Sequence, residues 1–207
     1  MNIKFDLIDD VAFTWVNGVR GYLREIDTRI LIDCAKKMPH GGVYVETGSW
    51  LGCSATLVGL HAPQDCKVYC HDLWDSTIHP TKINPDGENM GQQFQRNMRE
   101  QGLEGTIIPI TGDSSTTLLA THPDHSIDWA FIDGDHSYEG ITKDLEAIYH
   151  KMKPNSSILC HDCEGGTDAL RGLVDFCDNH GITDNDIGSI NGTGMKMIRL
   201  NAPVSSH

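Results

Sequence analysis

No cluster of cations stands anywhere in the sequence. Its 207 residues hold 16 Lys and Arg against 29 Asp and Glu, a formal net charge of −13. A phosphate backbone is bound through clustered cations that release counterions, so bulk nucleic-acid binding is not expected. Long apolar runs are missing too. None approaches the roughly 18 residues of a membrane-spanning helix, and even the stretch Trp129 to Ile132 is closed by Asp128 and Asp133. No membrane role is expected. The N-terminal MNIKFDLIDDVAF carries Asp6, Asp9 and Asp10 where a secretory signal needs unbroken apolar residues, which makes the cytoplasm the expected location. A disulfide framework is also lacking. The seven cysteines (Cys34, Cys53, Cys66, Cys70, Cys160, Cys163 and Cys177) are odd in number and irregular in spacing, as expected of reduced thiols packed as small hydrophobes.

What is present suits one globular domain with a good core: 39% apolar, 22% charged and 7% aromatic residues. Within residues 1–207 we expect an N-terminal helical segment at 1–40, a core at 41–163, and a C-terminal helix with closing strands at 164–207. Strand candidates are Val43 to Glu46, Lys67 to Asp72, Thr106 to Thr111, Ile127 to Asp133 and Ser156 to Asp162. Segments of helical period lie between them. Cys53 to His61 is one; Met90 to Gln101 puts Met90, Phe94, Met98 and Gln101 on one face. Ile141 to Met152 aligns Ile141, Leu145, Ile148 and Met152 before Lys153-Pro154-Asn155 stops it. Leu23 to Met38 is expected to turn Leu23, Ile26, Ile30 and Cys34 inward, and Asp168 to His180 to bury Leu170, Leu173, Val174 and Cys177. The run Gly194 to Leu200 alternates as a strand and is expected to close the sheet antiparallel to the rest. Such β/α alternation predicts an α/β, doubly wound, mostly parallel sheet with helices on both faces and ligands at the carboxyl ends of its strands. Residues 76–89 lack period and are expected to form a loop over the site.

The strand ends carry the chemistry. The first strand and its turn read VETGSWLG, Val45 to Gly52. Gly48 and Gly52 permit a tight turn and close approach to a ligand, the helix amides that follow suit an anionic group, and Glu46 suits a cationic amine. The spacing is not the GxGxxG of nicotinamide-binding domains, which argues against a dehydrogenase. A glycine-containing βα turn needs no ligand, so this loop alone leaves both readings open. The second strand ends at His71-Asp72, twenty residues after Gly52, about where a nucleoside-binding α/β domain offers its ribose a carboxylate. The third ends TGDSS, where Asp113 can meet an adenine amino group and Ser114 a ring nitrogen; the same segment also suits an Asx turn.

FIDGDHSYEG (Phe131 to Gly140) and ILCHDC (Ile158 to Cys163) end the fourth and fifth strands. Neighbouring strands lie about 4.8 Å apart, so Asp133 and Asp162 can converge on one divalent cation. His161 or Cys163 offers a third ligand. Such a cation fixes acceptor oxygens and lowers the pKa of a hydroxyl. His136, three residues beyond Asp133, is placed to take the proton. Against this, Asp135 or Ser137 can simply cap the next helix. Cys160 and Cys163 have no second pair of matching spacing, which leaves structural zinc unsupported. His40, His61, His79, His122, His125, His150 and His180 show no partner in the sequence and are expected at the surface.

Together these segments resemble the class I S-adenosylmethionine-dependent methyltransferases. VETGSWLG is similar to their first motif, His71-Asp72 to the ribose acid, and TGDSS to the adenine turn. From Gly41 to Cys163 the likeness is closer, to a small subfamily with FIDGDHSYEG that is similar to macrocin-type sugar O-methyltransferases and, more distantly, catechol O-methyltransferases. The resemblance implies a Rossmann-like fold with a seven-stranded sheet, one strand antiparallel, and S-adenosylmethionine across the strand ends. It assigns Glu46, Gly48, Ser49 and Gly52 to the methionine-binding loop, Asp72 and Leu73 to the ribose, Asp113 and Ser114 to adenine, and Asp133 to the cofactor side of the centre. It also assigns Asp133, His161 and Asp162 to a divalent metal and His136, beside Asp133, to catalysis as base. Magnesium-dependent relatives tend to carry an acid where this sequence has His161. Imidazole suits zinc, iron or manganese better than magnesium, so magnesium, manganese and zinc all enter as candidates.

Three functions follow as expectations. The first is methyl transfer from S-adenosylmethionine to an oxygen of a small polar acceptor such as a sugar or another hydroxyl metabolite, with Trp50, Trp74 and loop 76–89 shaping the pocket. The second is a noncatalytic nucleoside-cofactor-binding module; the third is metal-dependent oxidation or hydrolysis on the same fold. Apolar residues Phe5, Leu7, Phe13, Trp15 and Val16 offer a surface that a second subunit could cover in a homo-oligomer.

Overall fold

The structure, a computed structural model, describes residues 1–8, 11–74, 89–190 and 192–201. Most of the expected 76–89 loop therefore lies outside the described residues. The chain opens not with a helix but with an antiparallel meander, β1 (Ile3–Ile8), β2 (Val11–Val16) and β3 (Val19–Gly21). This corrects the helical expectation for residues 1–40, of which only α1 (Glu25–Lys36) is helical. The reason is local. Asn17 and Gly18 adopt φ values of 50° and 90°, the left-handed pair of a two-residue hairpin turn, and register Val16 against Val19. The meander uses part of its apolar set itself, since Phe13 and Val16 are buried while Phe5 and Leu7 stay exposed.

Alternation then runs as expected through β4 (Val43–Thr47), α2 (Cys53–His61), β5 (Lys67–Asp72), α3 (Met90–Glu100), β6 (Ile107–Thr111), α4 (Ser114–Thr121), β7 (Ile127–Ile132), α5 (Tyr138–Tyr149), β8 (Met152–Cys160) and α6 (Asp168–Asn179). Two closing strands follow, β9 (Ile187–Ser189) and β10 (Lys196–Leu200). The seven-stranded sheet has the order β6-β5-β4-β7-β8-β10-β9, with β10 antiparallel to both neighbours. Strand β8 begins at Met152, so Lys153-Pro154-Asn155 lies inside a strand rather than ending a helix.

The central strands bury both faces. Tyr44, Val68, Cys70, Phe131 and Leu159 join the core beneath α2 and α3, while Val45, Ala130, Ile132, Ile158 and Cys160 join the core beneath α5 and α6. That strict alternation of faces is the pleat acting on nearly continuous apolar strands. The chain leaves β4 for β5 and β6 on one side and returns to β7 and β8 on the other, which opens a crevice at the carboxyl ends of β4 and β7. Thr47 pairs with both His71 and Ile132, and Ile132 with Cys160, so the loops that follow these strands leave the sheet in line.

Two helix faces differ from the periodicity. Helix α1 turns Asp27, Thr28, Leu31, Cys34 and Ala35 inward and leaves Ile26 exposed; α6 buries Phe176 and exposes Val174. An acid on the buried face of α1 is unexpected for a merely amphipathic helix, and its partner lies in the site described next. Among the described residues no helix is long and apolar enough to cross a membrane.

Candidate active site

The turn after β4 sits directly on the end of β7. Gly48 has φ +77°, and a Cβ there would stand 2.0 Å from the Asp133 carbonyl oxygen, so only glycine fits this contact. Its amide donates to the His71 carbonyl at 2.9 Å, tying the turn to β5 as well. Trp50, also left-handed, donates its amide to Asp72 Oδ2 at 2.8 Å, and the Trp74 amide donates to Oδ1 at 2.6 Å. The Trp74 indole N–H then donates to the Trp50 carbonyl at 2.7 Å. Asp72 is thereby held with its carboxylate at the wall of the crevice.

Below this turn lies Glu46, fully buried, accepting from Ser54 Oγ at 3.2 Å and facing Cys70 Sγ at 3.6 Å. It lines neither of the cavities described below, where Ser49 and Ser54 form the wall nearest to it. Burial pushes its carboxyl up from 4.5 to about 7, with the neighbouring hydroxyls opposing the rise. A folded-state pKa above the unfolded one means that folding takes up a proton, so this group's contribution to stability falls as pH rises from about 4.5 to about 7 and then levels. Glu46→Gln removes that dependence. In ligand-free protein the variant should gain on the wild type across this window by up to about 3 kcal/mol, read from urea midpoints at pH 5 and pH 8.

A cavity of about 510 Å³ is lined by His71, Asp72, Leu73, Gly112, Asp113 and Ser114, with Gly48, Trp50 and the Asp133–Asp135 loop closing it. Every residue expected around the ribose and adenine reaches it, but two are also engaged inside the protein. Asp113 is the N-cap of α4, accepting from the Thr116 amide at 3.2 Å, and Ser114 donates to Asp144 Oδ1 at 2.5 Å. Behind its wall, His71 Nε2 lies 3.0 Å from Nε2 of His122, and His71 Nδ1 lies 2.8 Å from Thr117 Oγ1. His122 is therefore a buried partner of the cavity wall and not the surface residue expected. Burial lowers both imidazoles, His71 to about 3 and His122 to about 4, so the pair is neutral near pH 7.

A second cavity, of about 390 Å³, shares Gly48, Trp50, Asp133 and Gly134 with the first. Its remaining walls include Tyr22 from the meander, Ser49, Ser54, His136, His161 and Asp162. Here the ends of β7 and β8 bring acids and imidazoles together. His136 Nδ1 is 3.0 Å from Asp162 Oδ2, and its Nε2 is 3.4 Å from Asp133 Oδ1. His161 Nδ1 is 3.0 Å from Asp133 Oδ1 and 3.3 Å from Asp162 Oδ1. Asp133, His136 and Asp162 each present a donor atom within 4.8 Å of the others, a spacing that suits a divalent cation.

Burial alone would raise the Asp133 carboxyl, but His161 and His136 hold it below its usual value. Asp133, helped by Asp162, raises His136; burial would lower His161, and Asp133, Asp162 and Asp27 outweigh it. Cys163, an alternative third ligand from the sequence, is not in the cluster. Its thiol is buried, donates to the His161 carbonyl at 3.3 Å and is pushed up to about 12 by burial.

The whole architecture, a glycine turn on the end of β7 between two joined cavities at the sheet's switch point, has a counterpart among known proteins. A family model described as a methyltransferase domain matches residues 45–163. The chain belongs to the methyltransferase domain family. No curated protein matches it. Among solved structures, the O-methyltransferase NovP is 18% identical with a TM-score of 0.68, over 84% of this chain and 79% of that one. An O-methyltransferase from Bacillus cereus in complex with SAH is 13% identical with a TM-score of 0.64, over 86% and 82%. A methyltransferase from Geobacter sulfurreducens is 19% identical with a TM-score of 0.59, over 87% and 80%. At these identities the likeness is one of fold, and this methyltransferase domain has the class I strand order.

Sequence reasoning missed several contributors to the site, Ser54, Tyr22, His122 and Asp27 among them. Tyr22 comes from the meander, whose Asn17-Gly18 turn was a usable signal. His122 and Asp27 had none, because each meets its partner only through the tertiary fold.

Proposed function

We propose that this protein transfers the methyl group of S-adenosylmethionine to a hydroxyl oxygen of a small polar acceptor, a sugar or another hydroxyl metabolite, with a divalent cation assisting. The observation that carries the proposal is the pair of joined cavities. One is walled by Asp72, Asp113 and Ser114, donors and acceptors suited to a nucleoside, and the other by the acid and imidazole cluster; Gly48 and Asp133 stand between them. A Cβ at position 48 would run into the backbone of Asp133 and Gly134, so glycine is what lets this turn sit against the wall shared by the two cavities.

When bound, S-adenosylmethionine supplies a methyl group on a positively charged sulfur, a leaving group that needs no protonation. Asp72 would hold the ribose hydroxyls, Leu73 would pack beside them, and the polar wall at Ser49 and Ser54 would receive the amino acid end. A cation held by Asp133, Asp162 and His161 would lower the pKa of an acceptor hydroxyl. His136, with its imidazole at the mouth of the same cluster, takes the acceptor proton. The protein's main contribution is alignment of acceptor oxygen, methyl and sulfur in line. The acidic cluster favours a neutral or cationic acceptor over an anionic one.

Calorimetric titration of metal-stripped protein with S-adenosylmethionine and S-adenosylhomocysteine, repeated with magnesium, manganese and zinc, tests this. Expected are binding of both nucleosides and methylation of a hydroxyl in an acceptor screen that improves with one of the cations. Failure to bind either nucleoside under all four conditions refutes the proposal.

A further inference from the structure

Helix α1 lies outside the segment matched by the family model, yet it sends one side chain into the back of the cluster. Asp27 is fully buried. Its Oδ2 accepts from the Arg24 amide at 2.9 Å and from Arg24 Nε at 3.1 Å, as the third residue of a capping box. Capping alone does not account for it. A capping carboxylate ordinarily stays in water, whereas this one has a second oxygen, Oδ1, buried without a hydrogen-bond partner among the described residues, an arrangement that costs stability. Across from it, His161 Nε2 stands 3.5 Å from Asp27 Oδ2. The His161 side chain is only 9% exposed, and neither ring nitrogen makes a hydrogen bond of good geometry. The Nε2 edge of the ring is thus turned to Asp27 and the Nδ1 edge to Asp133 and Asp162.

We infer that Asp27 is a positioning residue for His161. It holds the Nε2–H, so that Nδ1 is the nitrogen presented to Asp133 and Asp162, and the Asp27–His161 pair completes a cation site of two carboxylates and one imidazole. An imidazole backed by a carboxylate is the usual way a protein fixes the tautomer and orientation of a metal-binding histidine. The donor set of two carboxylates and an imidazole selects manganese or zinc ahead of magnesium. The inference rests on the cation site proposed above, and adds to it a residue from the N-terminal helix and a preferred metal. It also gives a reason for the rotation of α1 that puts Asp27 inside and Ile26 outside.

Asp27→Asn is the discriminating variant. The oxygen that accepts from Arg24 is also the one that faces His161 Nε2, so the Asn oxygen can keep both contacts, while the carboxylate charge that makes the imidazole a stronger ligand is lost. Metal-stripped wild type, Asp27→Asn and His161→Ala would be titrated with magnesium, manganese and zinc, each alone, followed by S-adenosylhomocysteine without metal. Expected is cation affinity about 10- to 100-fold weaker in Asp27→Asn than in wild type, with nucleoside affinity unchanged and magnesium the weakest of the three cations on wild type. Equal cation affinity in wild type and Asp27→Asn overturns the role of Asp27 and leaves the cation site standing. Absence of cation binding in wild type overturns the site, and this inference with it. Should Asp27→Asn fold poorly, imidazole nitrogen-15 shifts of zinc-loaded wild type serve instead. Metal on His161 Nδ1 with the proton on Nε2 supports the inference, and any other state of that ring overturns it.

Discussion

His136→Ala should fold and bind S-adenosylhomocysteine as the wild type does, while turning over about 100- to 10,000-fold more slowly, the range expected when a general base is removed. The structure separates the two effects. His136 lines the cavity that holds the acid cluster and is absent from the lining of the nucleoside cavity. Its ring is half exposed at the loop after β7, so truncation leaves no hole in either core. Single-turnover rates with saturating cofactor, set beside calorimetric affinity for S-adenosylhomocysteine, decide the matter. Equal losses in rate and in nucleoside affinity would refute the base role. Loss of cation affinity would instead make His136 a ligand, which its place in the donor cluster permits.

Gly48→Ala should be the most damaging change to the cofactor turn. The new Cβ would meet three backbone atoms of Asp133 and Gly134 at 2.0, 2.6 and 2.7 Å, and none of these can swing away as a side-chain end can. The left-handed φ of +77° adds its own cost for any residue with a Cβ. Together these amount to about 2–5 kcal/mol. At about 2–4 °C per kcal/mol for a chain of this size, the melting temperature should fall by roughly 4–20 °C. Nucleoside affinity should fall at least about tenfold, because the turn that carries Trp50 to Asp72 must move away from β7. Gly52→Ala is the control: its Cβ would press on the Met98 methyl at 2.5 Å, the mobile end of a flexible side chain, so its loss should be smaller in both readouts. A Gly48→Ala protein with wild-type melting and wild-type nucleoside affinity would show that the turn does not depend on contact with Asp133.

The strands β4, β5, β7 and β8 and the acids at or just beyond their ends were legible in the sequence because buried parallel strands read as short apolar runs, and a run stopped by an acid marks where the chain leaves the sheet. The same pattern located Gly48, Asp72, Asp133 and Asp162. Glu46 was legible as a strand-end acid but not as a buried one: its alternation along β4 turns it beneath the turn, and only packing by Ser54 and Cys70 shows that. The N-terminal meander was masked by its length, since β3 has three residues and carries its signal in Asn17-Gly18 rather than in periodicity.

What the sequence by itself determined is the alternating α/β order, the glycine turn and the strand-end acids, all of which depend on neighbours within a few residues. Tertiary structure alone decided which imidazole faces which acid. Asp27 and His161 are separated by most of the chain, and the members of the His71–His122 pair by one strand and two helices; no local pattern encodes such a meeting. Burial set the rest, raising Glu46 and lowering His71, because desolvation is a property of the assembled core and of no single segment.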